Sequence, residues 1–211
     1  PAGYTFHRNT AYVLQDDVHI ATLTVEETIR YSAWVRMNEG TTWGAIEERT
    51  ELLIQMMKLE KCRKSLVGDN MNFRGISGGQ LKRLSIAVEI VDLPSLIFLD
   101  EPTSGLDSSI SLEVMSSVKD LSPRTIMTTI HAPSPDVYAL FDRTILVCAG
   151  RVVYAGPANK VIEYFSSPEL GYLVSPDDVA TLNPAEYALE VCGGARMPDN
   201  EDVPRQAPEL A

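Results

Sequence analysis

The sequence has no apolar run long enough to cross a bilayer; nothing in it approaches the roughly 18 to 20 uninterrupted apolar residues that a spanning helix needs. Its N-terminus, PAGYTFHRNT, lacks the apolar core of a signal peptide, so a soluble, cytosolic segment is expected. The chain opens on Pro1 rather than Met, as a piece of a longer protein would. Cysteine is sparse: Cys62, Cys148 and Cys192 are odd in number, far apart and free of metal-ligand spacing, which fits inert thiols in a reducing compartment. Clustered basic charge is missing too. Lys and Arg total 18 against 29 Asp and Glu, for a net charge of −11, and the densest cationic stretch, Lys58 to Lys64, is broken by Leu59, Glu60 and Cys62. That disfavours nucleic acid as a partner, because phosphate backbones require a concentrated basic face. Finally, no G-x-x-x-x-G-K-[ST] occurs in the 211 residues, so the loop that cradles nucleotide phosphates is not among them.

What is present is an ordinary globular composition, 45% hydrophobic and 22% charged, with length for one sizeable core. The chain is organised around Ser95 to Asp107, SLIFLDEPTSGLD. Four apolar residues, Leu96 to Leu99, end in the adjacent carboxylates Asp100 and Glu101, and Pro102 follows at once, which is the pattern of a short buried strand stopped at its carboxyl end. Chemistry in parallel α/β sheets sits at that end. An acidic pair there can serve a divalent metal and a water, one carboxylate reaching Mg²⁺ while its neighbour orients and deprotonates the attacking water. Alone, the dipeptide reads equally as a turn after any strand; the continuation through Thr103, Ser104, Gly105, Leu106 and Asp107 gives it weight.

Around this centre the pattern alternates strand and helix, which implies an α/β core with a parallel sheet. Ala11 to Leu14 reads as a strand delivering Gln15. Thr24, with Glu27 three residues on, is a capping box opening a helix that Asn38 to Gly40 stop. A second helix runs from about Thr42 to Leu59, with Ile46, Leu53, Met56 and Met57 toward a core. A third spans Ser77 to Leu93 and ends before Pro94; its first residues, Ser77, Gly78 and Gly79, present unobstructed N–H groups at the positive end of the macrodipole, an anion site. Asp107 can cap a helix over Ser108 to Leu121. His131 follows the strand Thr125 to Ile130. A helix around Pro135 to Leu140, strands Thr144 to Cys148 and Arg151 to Tyr154, a helix from Gly156 to about Phe165 and a last one after Asn183 complete the pattern. The stretch Pro176 to Asp178 reads as a polar loop, and 193–211 is Pro-rich and acidic, a disordered linker.

DEPTSGLD resembles the joined Walker B and D-loop of ATP-binding cassettes, and Ile76 to Gln80 resembles their (L/I/V)SGG(Q/E) signature. Gln15 resembles the Q-loop glutamine and His131 the switch histidine, so about Tyr12 to Val191 falls into register with one family. QDD at 15–17 before LTVEET, RGISGGQLKR at 74–83, FDRTILVCAGRVVYAGPA at 141–158 and NPAEYALEV at 183–191 are similar to the G subfamily, the White-type half-transporters. One departure is Ala132, where that group commonly has Gln.

The resemblance implies a P-loop NTPase-type parallel-sheet core with an inserted helical subdomain. It divides the chain into a partial nucleotide-binding domain over 1–166, with the helical subdomain at about 23–82, a segment 167–192 leading toward a membrane domain, and the linker 193–211. It implies ATP and Mg²⁺ as cofactors, with Asp100 and Gln15 at the metal and Glu101 as general base. His131 is expected at the γ-phosphate. Ser77, Gly78, Gly79 and Gln80 are expected to close over ATP held by a second cassette, paired head to tail as a homo- or heterodimer, and Asp107 to organise that partner's site. The implied activity is ATP hydrolysis coupled to export of lipid, sterol or other hydrophobic cargo, at the cytosolic face of a membrane and joined to a transmembrane domain. The missing phosphate loop leaves open a catalytically incompetent cassette, and a cassette ATPase unconnected to membranes is a further alternative. In this family the strand before the phosphate loop lies beside the strand of the switch histidine, so Thr125 to Ile130 is expected as a bare apolar edge and the isolated chain as poorly soluble.

Overall fold

The computed structural model describes residues 9–69, 73–167, 170, 172 and 182–194. The chain divides into two compact units, 1–131 and 132–211. The sequence expectations for Pro176 to Asp178 and for 195–211 lie outside the described residues.

The first unit holds strand β1 (Thr10–Val13), helices α1 (Val25–Arg36), α2 (Trp43–Met56) and α3 (Gly78–Glu89), strand β2 (Leu96–Asp100), helix α4 (Ser108–Lys119) and strand β3 (Thr125–Thr129). The three strands form a parallel sheet in the order β1-β2-β3. Alternation sends Ala11, Val13, Ile97 and Leu99 into the core, each 4% exposed or less. The register Tyr12↔Phe98↔Met127 defines the opposite face. There Tyr12 and Met127 are about half exposed, 52% and 51%. β3 stands at the edge of this sheet, as expected for Thr125 to Ile130.

Helix α3 is the centre of the unit: it packs against α1, α2, α4 and β1. It also departs from the amphipathic stripe expected of it. Lys82, Arg83, Leu84, Ser85, Ile86 and Ala87 are all buried, while Leu81 and Val88 are only partly so. The helix ends at Glu89 rather than near Leu93; Ile90 closes it by donating its N–H to Ile86 O, and Leu93 takes a positive φ of 51°.

The expected capping box at α1 is formed in full, with Thr24 Oγ1 accepting from Glu27 N and the Glu27 carboxylate accepting from Thr24 N at 2.9 Å. Next to it, Glu26 is 5% exposed and is surrounded by cations. Arg63 reaches it at 2.8 Å, Lys64 at 2.9 Å, and Arg30 pairs with it one turn along the helix. Hydrogen bonding from Arg63, opposed in part by burial, holds the Glu26 carboxyl down at about 2, against 4.5 ordinarily.

The second unit holds a short helix α5 (Pro135–Tyr138), strands β4 (Arg143–Cys148) and β5 (Arg151–Pro157), α6 (Val161–Phe165) and α7 (Pro184–Cys192). β4 and β5 are antiparallel, so the parallel arrangement expected of the alternation holds for β1 to β3 and gives way to a hairpin here. Gly156 and Pro157 end β5 instead of opening a helix. The core is aromatic: Phe165 and Tyr187 are wholly buried, and Tyr187 OH donates to Tyr172 O at 2.5 Å. Cys148 and Cys192, distant in sequence, are neighbours in space, with Cys148 Sγ donating to Cys192 O at 3.3 Å, because α7 returns to β4. All three cysteines are free thiols. No helix among the described residues is long and apolar enough to cross a membrane.

The Glu26 cluster is expected to stabilise the first unit in a pH-dependent way. The folded-state carboxyl titrates below its unfolded value, so the contribution is complete above about pH 4.5 and is lost as the pH falls toward 2. Glu26→Gln is expected to lower the unfolding free energy at pH 7 by about 2 kcal/mol, the scale of hydrogen bonds to charged groups, and to flatten the acid limb of a denaturant-midpoint-against-pH curve. An unchanged midpoint at pH 7 would contradict this role.

Candidate functional site

Three elements of the first unit converge on the carboxyl end of β2. The strand carries Asp100 to its last position, and the backbone then turns through Glu101 with φ of 42°, a conformation that costs a non-glycine residue about 1 to 3 kcal/mol unless its surroundings enforce it. Thr129, paired with Asp100 in the parallel ladder, does the enforcing. The Glu101 N–H donates to Thr129 O at 3.1 Å and to Thr129 Oγ1 at 3.0 Å. Thr129 Oγ1 in turn donates to Asp100 Oδ1 at 2.7 Å.

The second oxygen of Asp100 accepts from Tyr12 OH at 3.1 Å. This bond and the adjacent negative charge push the Tyr12 phenol above its usual value. Gln15, two residues past β1, donates through Nε2 to Glu101 Oε2 at 3.0 Å and to Ser104 Oγ at 3.4 Å. The structure therefore brings together Gln15, Asp100 and Glu101, expected at one site, and adds Tyr12, Ser104 and Thr129. His131 lies two residues beyond Thr129 and is exposed, with no hydrogen bond among the described residues.

These donors suit magnesium. A carboxylate and an amide oxygen are hard ligands, and Mg²⁺ is held by one or two such groups completed by phosphate and water rather than by an all-protein cage.

The second predicted cluster sits at the start of α3. Ser77 is its N-cap: Ser77 Oγ accepts from Gln80 N at 3.4 Å, and Gln80 Oε1 accepts from Ser77 N at 2.9 Å. Gln80 is thus occupied by a capping box, and the N–H groups of Gly78 and Gly79 lie in the first turn, where an α-helix provides them no intrahelical acceptor. Leading into it, the chain crosses itself at two glycines. A Cβ built on Gly75 would lie 1.8 Å from Val67 O, and one on Gly68 would lie 2.3 Å from Gly75 Cα.

Asp107 caps α4 in the same manner, its Oδ1 accepting from Ile110 N at 2.9 Å and Ser109 Oγ at 2.8 Å. Those bonds, Ile110's first, lower its carboxyl below the usual range. This turn abuts the signature: a Cβ on Gly79 would lie 2.3 Å from Ile110 Cγ2, and one on Gly78 would lie 3.2 Å from Leu106 Cδ2.

Sequence reasoning also missed Lys82, 3% exposed, whose ammonium bonds the backbone of Leu14 and Gln15 and pairs with Asp17. The available signal was the adjacent cations Lys82 and Arg83 inside an apolar helix, with the acidic pair Asp16 and Asp17 elsewhere to answer them.

Packing alone gives Gly79 a structural role. Gly79→Ala, whose methyl meets the β-branched and unyielding Ile110, is expected to cost about 1 to 3 kcal/mol in denaturant unfolding, and Gly78→Ala less. Equal effects of the two would contradict this packing.

Comparison with known proteins agrees with this geometry. Residues 3–104 match the family model described as ABC transporter, and residues 131–208 match the one described as ABC-2 type transporter. ABC transporter G family member 14 of Arabidopsis thaliana is 41% identical over 196 residues, which is 92% of this chain and 29% of that protein. The broad substrate specificity ATP-binding cassette transporter ABCG2 of Sus scrofa is 41% identical over the same shares. ABC transporter G family member 13 of Arabidopsis thaliana is 46% identical over 157 residues, 74% of this chain and 23% of the relative. The chain spans less than a third of the length of the curated relatives it matches, at 29% of the first two. Identity at this level across nearly the whole chain, together with the two family models, establishes that the chain belongs to the ABC transporters, in their G family.

Proposed function

We propose that this chain supplies the ATP-hydrolysing machinery of a G-family transporter that exports lipid, sterol or other hydrophobic cargo, acting on the cytosolic face of a membrane. The observation that carries the reading is the hydrogen bond from Gln15 Nε2 to Glu101 Oε2, made where a parallel strand delivers Asp100 beside it. Asp100, oriented by the hydroxyls of Tyr12 and Thr129, and the amide oxygen of Gln15 would hold Mg²⁺. When bound, the metal supplies charge neutralisation for the triphosphate. Glu101 accepts the proton of the attacking water as general base, and Gln15 fixes the carboxylate's direction. His131 contacts the γ-phosphate from the end of β3. Ser77, Gly78 and Gly79, with Gln80 holding the cap closed, face ATP bound by a second cassette in a head-to-tail pair, and Asp107 organises the junction. A transmembrane domain of the same full-length chain is the partner that turns closure into transport.

No G-x-x-x-x-G-K-[ST] lies within these 211 residues, and that favours a second statement about the chain taken alone. Charge-assisted bonds to phosphate contribute about 1.5 to 3 kcal/mol each, so without such a loop the isolated chain holds ATP only weakly. Calorimetric titration of the purified 211 residues with Mg-ATP is expected to show no binding tighter than the millimolar range, and micromolar capture would overturn it.

Glu101→Gln in the full-length protein is expected to lower steady-state ATP turnover by about 10²- to 10⁴-fold while leaving nucleotide affinity within about threefold. Turnover within about twofold of the unaltered protein would remove Glu101 from the role of base.

A further inference from the structure

Lys82 lies in the sixth position counted from Ser77, and it is 3% exposed. Burying an ammonium is costly unless every donor finds an acceptor. Here the ammonium donates to Gln15 O at 2.8 Å and Leu14 O at 3.4 Å, and its charge is answered by the carboxylate Oδ1 of Asp17 in an ion pair at 2.8 Å that lacks hydrogen-bond geometry. The placement of the two carbonyls matters. Leu14 O belongs to the peptide plane before Gln15 Cα and Gln15 O to the plane after it. Since each peptide unit is rigid, gripping both planes fixes the φ and ψ of Gln15 and so the direction in which its side chain leaves the backbone. Asp17 completes the clasp from two residues on. One turn further along the same face of α3, Ser85 Oγ shares a hydrogen bond with His19 Nε2 at 2.7 Å, so the segment from Leu14 to His19 is laid along the helix by successive contacts.

We propose that Lys82 is a positioning residue for the reaction. It sets the backbone of Gln15 so that the amide reaches Glu101, and it ties that geometry to the helix that begins at Ser77. The inference rests on the hydrolytic reading of the Gln15, Asp100 and Glu101 corner, and deepens it: a displacement of α3 is delivered to the orientation of the general base through one ammonium. A compact point charge with three radiating donors suits this convergence, where a planar guanidinium would not.

The test uses the full-length protein with Lys82→Met, which keeps the stem and removes the charge, and Asp17→Asn, which keeps the shape and removes the ion pair. Two readouts are combined. In amide hydrogen exchange without nucleotide, exchange over residues 14–19 is expected to quicken about tenfold in Lys82→Met, with residues 84–88 of α3 unchanged. In steady-state kinetics, kcat is expected to fall about 10- to 100-fold with the dissociation constant for ATP within about threefold, since misplacement near 1 Å costs that much in rate. Should Lys82→Met fail to fold, Asp17→Asn is expected to give the same pattern at smaller amplitude. Unchanged exchange over 14–19, or a rise shared equally by 84–88, overturns the proposal, as does kcat within twofold of the unaltered protein. If the unaltered protein turns over no ATP, the hydrolytic reading fails, and the exchange pattern alone decides whether Lys82 holds Gln15.

Discussion

The burial of the middle of helix α3, Lys82 to Ala87, is the constraint on which the first unit depends. A helix segment covered by α1, α2, α4 and β1 leaves its polar groups little access to water, so those it carries there must be satisfied inside. Lys82 is satisfied by the segment after β1. Arg83 is satisfied by Gly79 O at 3.3 Å, by Met57 O and Lys58 O at 3.2 Å each, and by Glu113 at 3.1 Å. The two cations therefore point to opposite neighbours: one fastens the strand end that carries Gln15, the other fastens the end of α2 and the flank of α4. A single helix thereby becomes the shared frame for both predicted clusters.

The acidic corner shows how a neutral network can position charged groups. Asp100 is oriented by two hydroxyls and Glu101 by a carboxamide; no Lys, Arg or His pairs with either carboxylate among the described residues. A guanidinium in the place of Gln15 would hold Glu101 equally well but would neutralise it. Hydroxyl and amide donors supply direction without supplying compensating charge, which leaves the corner as a site of negative potential that a divalent cation answers.

Local patterns were legible in the sequence where they depend on neighbours close in the chain. Thr24 with Glu27, Asp107 before Ser108 and Asn183 before Pro184 each cap a helix as read, because capping is set within four residues. The strand ending in Asp100 was legible from its apolar run. Boundaries slipped where tertiary contact decided them, as at Glu89, and the fate of Lys82 and Arg83 was hidden because burial of a charge depends on partners far away in the chain, such as Met57 O for Arg83 and Gln15 O for Lys82. Periodicity assigns cations to a wet face by default, and the middle of α3 has none. Likewise Thr129 and Tyr12 gave no signal of their own. Their hydroxyls matter only because parallel pairing sets them beside Asp100.

The crossing at Gly68 and Gly75 has a consequence for how the first unit tolerates change. The two backbones pass so closely that Ile76 N reaches Val67 O at 3.2 Å, and Ser77 follows immediately. The start of α3 is thus hung from a point where no side chain of any kind can be inserted. A methyl group there would wedge the chain apart and swing the first turn of α3 away from its seat. Disruption of the cluster that begins at Ser77 can therefore arise from positions that look, by chemistry, entirely inert.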